Sequence, residues 1–311
     1  MILTITLNPT IDKSTSVDKI IPDSKLRCSA VKNEAGGGGI NVSKSLQKLN
    51  AKNIALFPAG GNIGKLLQQL LKQEGVPMHV IEVEKETREN IIVQETSTNK
   101  QFRFNMPGEK ADAQVLESIL QYIRENKFEF IVGSGSILPG LPVNAYAQIA
   151  KVAKESGAQF ILDTSGEALE AAVNEGVFMV KPNIGELAKL SKITWLENDR
   201  VEEAARALIN KGKVELVAVS MGKDGAILVS KDETYRVPVP DLEKRSTVGA
   251  GDSMVAGIVH MLAQRKPLKD VICFGVACGT ASTLNEGTQL FKKDDVEKIF
   301  SWTSQSAKSL K

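Results

Sequence analysis

Short runs dominated by Val, Ile, Leu and Phe recur along the chain, at Ile2–Asn8, Asn53–Ala59, Phe128–Ser134, Gln159–Thr164, Val177–Asn183 and Glu215–Met221. Runs of this kind, with no polar alternation, suit strands buried on both faces. Between them, Ile40–Leu49, Gly64–Gln73, Ala113–Glu125, Asn144–Ser156 and Val201–Lys211 place apolar residues three and four apart, the spacing of a helix with one apolar stripe. Strands alternating with helices predict an α/β fold: a mostly parallel sheet with helices on both faces, in three layers. Further helices are expected over Asp252–Gln264, Leu268–Thr283 and Asp294–Ser306.

Two segments break this rhythm. Residues 14–34 and 87–106 carry no helical pattern, and Arg88–Thr96 and Gln101–Met106 read as strands around a turn at Ser97–Lys100. We expect them to form a small antiparallel β lid on a single domain whose core is 1–13, 35–86 and 107–311. A small sheet with one apolar face needs a cover. A second copy of the lid could supply it, so the expected assembly is a homodimer.

Composition narrows the partners. The 39 Lys and Arg nearly balance the 37 Asp and Glu in 311 residues. A net charge of +2 gives no whole-protein reason for nucleic-acid binding, so any anion site must be local. Cys28, Cys273 and Cys278 lack metal-ligand spacing and are expected reduced and buried. No stretch has the pattern of a signal peptide or approaches a membrane span. The expected setting is cytoplasmic, with no membrane partner. His79, His260, Trp195 and Trp302 are expected to pack rather than react.

The strongest local signal is Ser246-Thr247-Val248-Gly249-Ala250-Gly251-Asp252-Ser253, which follows the strand-like Thr234–Val239 and opens an apolar helix. By itself the motif reads either as a capped turn or as an anion hole. In the second reading, Gly249, Ala250 and Gly251 leave backbone N–H groups uncovered at a helix N-terminus, where the dipole favours negative charge. Asp252 in the first turn could then accept a proton from an attacking hydroxyl. A second glycine run, Gly36-Gly37-Gly38-Gly39, precedes Ile40-Asn41-Val42. It lacks the ending of a P-loop, so it is a hinge between lid and core, a place for close ligand approach, or both. Asn41 could reach a sugar hydroxyl.

These motifs, in their order, resemble the ribokinase-like (phosphofructokinase B) sugar kinases along essentially the whole chain. The likeness extends to Thr6-Leu7-Asn8-Pro9-Thr10-Ile11-Asp12, Ser134-Gly135-Ser136-Ile137-Leu138-Pro139-Gly140, Lys181-Pro182-Asn183-Ile184-Gly185-Glu186 and Val219-Ser220-Met221-Gly222-Lys223-Asp224-Gly225. The resemblance implies ATP-dependent phosphorylation with Asp252 as base and Gly249, Ala250 and Gly251 as the anion hole. It implies that Asp12, Gly37, Gly38 and Asn41 hold the sugar. Lys181, Asn183, Ser220, Gly222, Gly225, Ser246 and Val248 would lie along the nucleotide. Asn183 and Glu186 would organise Mg²⁺ through water. Ser246, Val248, Ser282, Asn285 and Gly287 match a family site for a monovalent cation, usually K⁺.

A sugar-phosphate acceptor needs cations. Lys25, Arg27, Arg88 and Arg103 all fall in the lid segments, where they either clamp a phosphate or lie on a solvated surface. Ser136 could also donate to the phosphate. Within the family, Lys25-Leu26-Arg27-Cys28, Thr87-Arg88 and Phe104-Asn105-Met106-Pro107-Gly108 are most similar to the minor bacterial 6-phosphofructokinases. That implies conversion of fructose 6-phosphate to fructose 1,6-bisphosphate in glycolysis. Tagatose-6-phosphate kinase and 1-phosphofructokinase are the alternatives. A catalytically silent sugar-phosphate sensor would be free to lose the base or the anion hole, and this chain keeps both. A dinucleotide-binding oxidoreductase would need G-x-G-x-x-G in its first βα turn, which is absent.

Overall fold

The computed structural model describes residues 1–243, 245–285 and 289–310. In chain order its first elements are β1 (Ile2–Ile5), β2 (Thr10–Val17), β3 (Lys32–Gly36), α1 (Gly38–Lys48), β4 (Asn53–Gly60), α2 (Gly61–Gln73), β5 (Met78–Val83), β6 (Arg88–Glu95) and β7 (Lys100–Phe104). There follow α3 (Gln114–Glu125), β8 (Phe130–Ser134), α4 (Ala145–Glu155), β9 (Gln159–Asp163), α5 (Gly166–Glu175), β10 (Val177–Val180), α6 (Ile184–Leu190) and α7 (Val201–Asn210). The last are β11 (Val214–Ser220), β12 (Ala226–Val229), β13 (Thr234–Val237), α8 (Ala250–Ala263), α9 (Leu268–Ser282), α10 (Lys293–Ser306) and β14 (Lys308–Leu310).

The main sheet has the order β14-β13-β12-β11-β10-β9-β8-β1-β4-β5. From β11 to β5 every pairing is parallel, while β12, β13 and β14 add an antiparallel edge. The unbroken apolar runs become these parallel strands because both faces are covered. Leu3, Ile5, Ile131 and Leu162 point into a core shared with α3, α4 and α5. Ile2, Val132 and Ile161 point the opposite way, toward α1, α8 and α9. The chain winds outward in both directions from the centre: β1 pairs with β4 on one side and β8 on the other. Ligands of open parallel sheets bind where the order reverses, beyond the strands' carboxyl ends. Here that place is beyond β1 and β8.

The second sheet has the order β3-β2-β6-β7. Its outer pairs, β3/β2 and β6/β7, are antiparallel, and its middle pair, β2/β6, is parallel. That seam pairs residues 78 apart in the chain, as in Thr10 with Arg88, which no local pattern could announce. The first lid strand begins at Thr10, so residues 10–13, expected in the core, belong to the lid sheet. Pairing register puts Asp12, Asn90, Ile92 and Arg103 on one face. The opposite face carries Ile91, Phe102 and Phe104, which are 40%, 36% and 48% exposed.

Other expectations are corrected. Helix α5 is an addition to the expected helices; it is short, and two of its four buried residues, Ala168 and Ala172, are alanines that mark an apolar stripe only weakly. Strands β12 and β14, four and three residues long, are too short for periodicity to register. Cys28 is exposed, while Cys273 and Cys278 are buried, and all three are free thiols. Trp195 is 76% exposed, and Trp302 is also exposed. His79 stacks on Tyr122 with ring centroids 4.0 Å apart, and the His260 ring lies near that of Phe274. Among the described residues no helix is long and apolar enough to cross a membrane.

Candidate active site

Helix α8 starts beside the switch point, and Gly249 sets its direction. This residue is the N-cap in the left-handed region, at φ 73°. A Cβ there would also come within 2.8 Å of Leu290 Cδ2. Glycine alone relieves both constraints. No side chain caps α8; the Ala250 N–H makes only a long 3.4 Å bond to Thr247 O, and helix-start N–H groups without a side-chain cap are suited to meet an anion.

Asp252 lies in that first turn, half-buried. Its Oδ2 accepts from Asn41 Nδ2 at 2.9 Å, and its Oδ1 accepts from Ser134 Oγ at 3.3 Å. Asn41 comes from the start of α1 and Ser134 from the carboxyl end of β8. Three elements thus converge on one carboxylate. The convergence needs Gly38, where a Cβ would collide with Ser134 Oγ. Burial raises the Asp252 pKa from its ordinary 3.8 to about 6, and the nearby Asp163 charge adds to this. The Asn41, Lys181 and Ser134 interactions pull the other way.

On the β9–β11 side, Lys181 is buried with its Nζ 3.1 Å from Asp163 Oδ1. Burial opposes the ammonium, but Asp163, Asp252 and Glu186 outweigh it and raise its pKa. Asn183 and Glu186 cap each other across the first turn of α6. The Glu186 N–H donates to Asn183 Oδ1, and the Asn183 N–H donates to Glu186 Oε2, both at 2.9 Å. The N-x-x-E motif is therefore a capping box as well as the implied metal-organising pair. Asn183 and Ser220 form an isolated parallel bridge. Gly222 and Gly225 follow in a short turn with positive φ. Lys181, Asn183, Ser220, Gly222 and Gly225 thus line the carboxyl ends of adjacent strands β10 and β11.

On the lid side, Asp12 is buried and accepts from Asn90 Nδ2 at 2.9 Å. Burial raises the Asp12 pKa, opposed by Asn90 and Arg88. A Cβ on Gly36 would collide with the Asp12 carboxylate, and one on Gly38 with Ser134. Two residues of chain span at most ~7 Å, so Asp12 and the Ser134–Asp252 pair lie against neighbouring positions of the same glycine run. Gly37, at φ 114°, is the N-cap of α1 between them.

The four lid cations part company. Arg88 joins Asp12: its Nη1 donates to Met106 O at 2.7 Å and its Nη2 to Asn8 O at 3.1 Å. Arg88 Nε, Asn8 Oδ1 and Asn41 Oδ1 are buried without partners. Such groups cost ~1–3 kcal/mol each unless a ligand satisfies them. Asn8 Nδ2 donates to Ser136 Oγ at 3.3 Å, which brings exposed Ser136 to this corner. Arg103 bonds Gln101 and lines a cavity of about 1070 Å³ with Ile92, Ser246 and Thr247. Lys25 and Arg27 lie exposed in the β2–β3 loop.

For the implied monovalent-cation residues, the Ser246 N–H donates to Thr283 O at 3.2 Å and Val248 N–H to Ser246 Oγ at 3.2 Å. This ties Ser246 and Val248 to the end of α9, next to Ser282 and Asn285. Gly287 lies outside the described residues. Sequence reasoning passed over Asn8, Asn90, Ser134 and Asp163 as site residues. Asn8 and Ser134 stood inside motifs already singled out, whereas Asn90 and Asp163 carried no local signal.

A family model for pfkB family carbohydrate kinases matches residues 4–295. The chain is 39% identical over 306 residues to ATP-dependent 6-phosphofructokinase isozyme 2 of Escherichia coli, covering 98% of this chain and 99% of that protein. It is 35% identical to a 1-phosphofructokinase of Xanthomonas campestris over 84% of this chain and 83% of that one. It is 30% identical to a tagatose-6-phosphate kinase of Staphylococcus epidermidis over 96% and 97%. A crystal structure of E. coli phosphofructokinase-2 in complex with potassium matches with a TM-score of 0.94 at 39% identity, covering 97% of this chain and 99% of that one. One of the same enzyme with fructose-6-phosphate gives 0.93 at 38% identity over the same shares. An α8 N-terminus with its carboxylate at the switch point, under a lid, is thus set in a ribokinase-like fold, and the chain belongs to the pfkB family of carbohydrate kinases, among its sugar-phosphate kinases.

Proposed function

We propose that the protein transfers the γ-phosphoryl group of ATP to the C1 hydroxyl of fructose 6-phosphate, giving fructose 1,6-bisphosphate and ADP, with Asp252 as general base. The observation that carries this reading is the Asp252 carboxylate, held by Asn41 and Ser134 at the start of α8, which no side chain caps, beside the glycine run that also packs on Asp12. The hydroxyl's O–H bond breaks as its proton passes to Asp252. Its oxygen bonds to the γ-phosphorus, and the bond from that phosphorus to the ADP oxygen breaks. Charge on the moving phosphoryl group meets the N–H groups of Gly249, Ala250 and Gly251. Asp12 and Asn41 orient the sugar hydroxyls. Arg88 has five N–H donors and spends only part of them on carbonyls, so Nε and the remainder can hold the 6-phosphate, with Ser136 beside them.

Kinases of this family use ATP with Mg²⁺. The residues present fit a hydrated magnesium ion: Glu186 engages one carboxylate oxygen with the Asn183 N–H and keeps the other for water. When bound, the ion neutralises phosphate charge. The carbonyls around Ser246, Val248, Ser282 and Asn285 supply hard oxygen donors suited to K⁺, in keeping with the potassium complex of the E. coli enzyme. The apolar outer face of the lid, with Ile91, Phe102 and Phe104, supports a homodimer closed lid to lid.

The 39% identity to a 6-phosphofructokinase, against 35% and 30% for the two other activities, favours fructose 6-phosphate. The test is kcat/KM with MgATP and K⁺ for fructose 6-phosphate, tagatose 6-phosphate and fructose 1-phosphate side by side. We expect a preference of roughly tenfold or more for fructose 6-phosphate. A preference for either other sugar would keep the site and overturn the substrate.

A further inference from the structure

Asn90 of β6 is buried on the cleft-facing side of the lid and touches both halves of the proposed sugar-phosphate site. Its Nδ2 donates to Asp12 Oδ1 at 2.9 Å. Its Oδ1 accepts from the Met106 N–H at 3.1 Å and, at 3.4 Å, from Arg88 Nη1. Met106 in turn accepts from Arg88 through its own carbonyl at 2.7 Å. The arrangement is a closed knot. Asp12 stands at the hydroxyl end, Arg88 at the phosphate end, and the chain leaving the lid after β7 is tied in through Met106.

The chemistry at this position admits only an amide. One atom must donate to a carboxylate, and the other must accept from a backbone N–H and a guanidinium. Asp cannot donate when ionised, and it would set a second negative charge against Asp12. Ala would leave the Met106 N–H and one Asp12 oxygen without partners inside the protein. Serine is too short to span the two sides.

We infer that Asn90 is a positioning residue that couples recognition of the sugar hydroxyls by Asp12 to recognition of the phosphate by Arg88, so that the two ends of the acceptor are read as a unit. This rests on the proposed roles of Asp12 and Arg88. It predicts a specific signature. Loss of Asn90 weakens the acceptor's binding without touching the base, the anion hole or the nucleotide side, because no Asn90 contact reaches α8, β10 or β11.

The test is a double-mutant cycle of Asn90→Ala and Arg88→Ala, read as KM for fructose 6-phosphate, KM for ATP and kcat. Asn90→Asp serves as a near-isosteric check against a general loss of folding. We expect Asn90→Ala and Asn90→Asp each to raise the sugar-phosphate KM roughly tenfold, with the ATP KM and kcat within about twofold of the parent. The double variant should fall well short of the product of the single effects. If Arg88→Ala raises the sugar-phosphate KM but the Asn90 variants do not, or if the effects multiply in full, the coupling is overturned while the site stands. A rise in both KM values together would reduce Asn90 to a purely structural residue and overturn the inference. If Arg88→Ala leaves the sugar-phosphate KM unchanged, the phosphate role of Arg88 falls and the coupling falls with it.

Discussion

At the scale of single residues, Asp252 is set apart by the balance of forces on its charge. Burial and the Asp163 carboxylate disfavour ionisation, while Asn41, Lys181 and Ser134 favour it, and the outcome is a pKa of about 6. A base works only when ionised, so kcat/KM should fall as pH drops through about 6, by tenfold per unit below it. The acceptor's phosphate titrates in the same range, ~6, and would give a limb of similar position. Ser134→Ala separates the two. The Ser134 hydroxyl bonds the charged carboxylate, so its removal should move the enzyme's limb to higher pH, whereas the limb of the substrate stays put. Identical pH profiles for Ser134→Ala and the parent would show that Asp252 does not set the limb.

At the scale of elements, the lid is where sequence and structure agree in outline and differ in detail. Its strands were legible because Phe102, Arg103 and Phe104 alternate and because Ser97–Lys100 reads as a turn. Its parallel β2/β6 seam was not, since strand pairing over a long separation leaves no local mark. The same limit explains the cations. Composition put Lys25, Arg27, Arg88 and Arg103 in one structural unit, but only register shows that Arg88 and Asn90 share the Asp12 face at the β2/β6 seam. The glycines fared better, because Gly249 and Gly38 are demanded by backbone geometry and close approach that few other residues tolerate. The lid's outer face makes its own prediction. If a second lid covers Ile91, Phe102 and Phe104, then Phe104→Glu should dissociate the dimer, as read by light scattering across a dilution series. A dimer unchanged by Phe104→Glu would place the interface elsewhere.

At the scale of the whole molecule, the site exists because the strand order reverses at β1. Neither Ser134 nor Asn41 lies near Asp252 in sequence, yet β8 delivers the first and α1 the second to the start of α8. The outline of this arrangement was readable from alternating strands and helices, and Asp252 from its glycine-flanked motif. The partners that hold and tune it, Ser134 and Asp163, needed the fold. The central claim is that this carboxylate, in this place, takes the proton from the acceptor. The measurement that bears on it most directly is steady-state turnover of Asp252→Asn beside its equilibrium binding of fructose 6-phosphate. We predict a kcat at least ~100-fold below the parent with binding retained; near-normal turnover by Asp252→Asn would contradict the account.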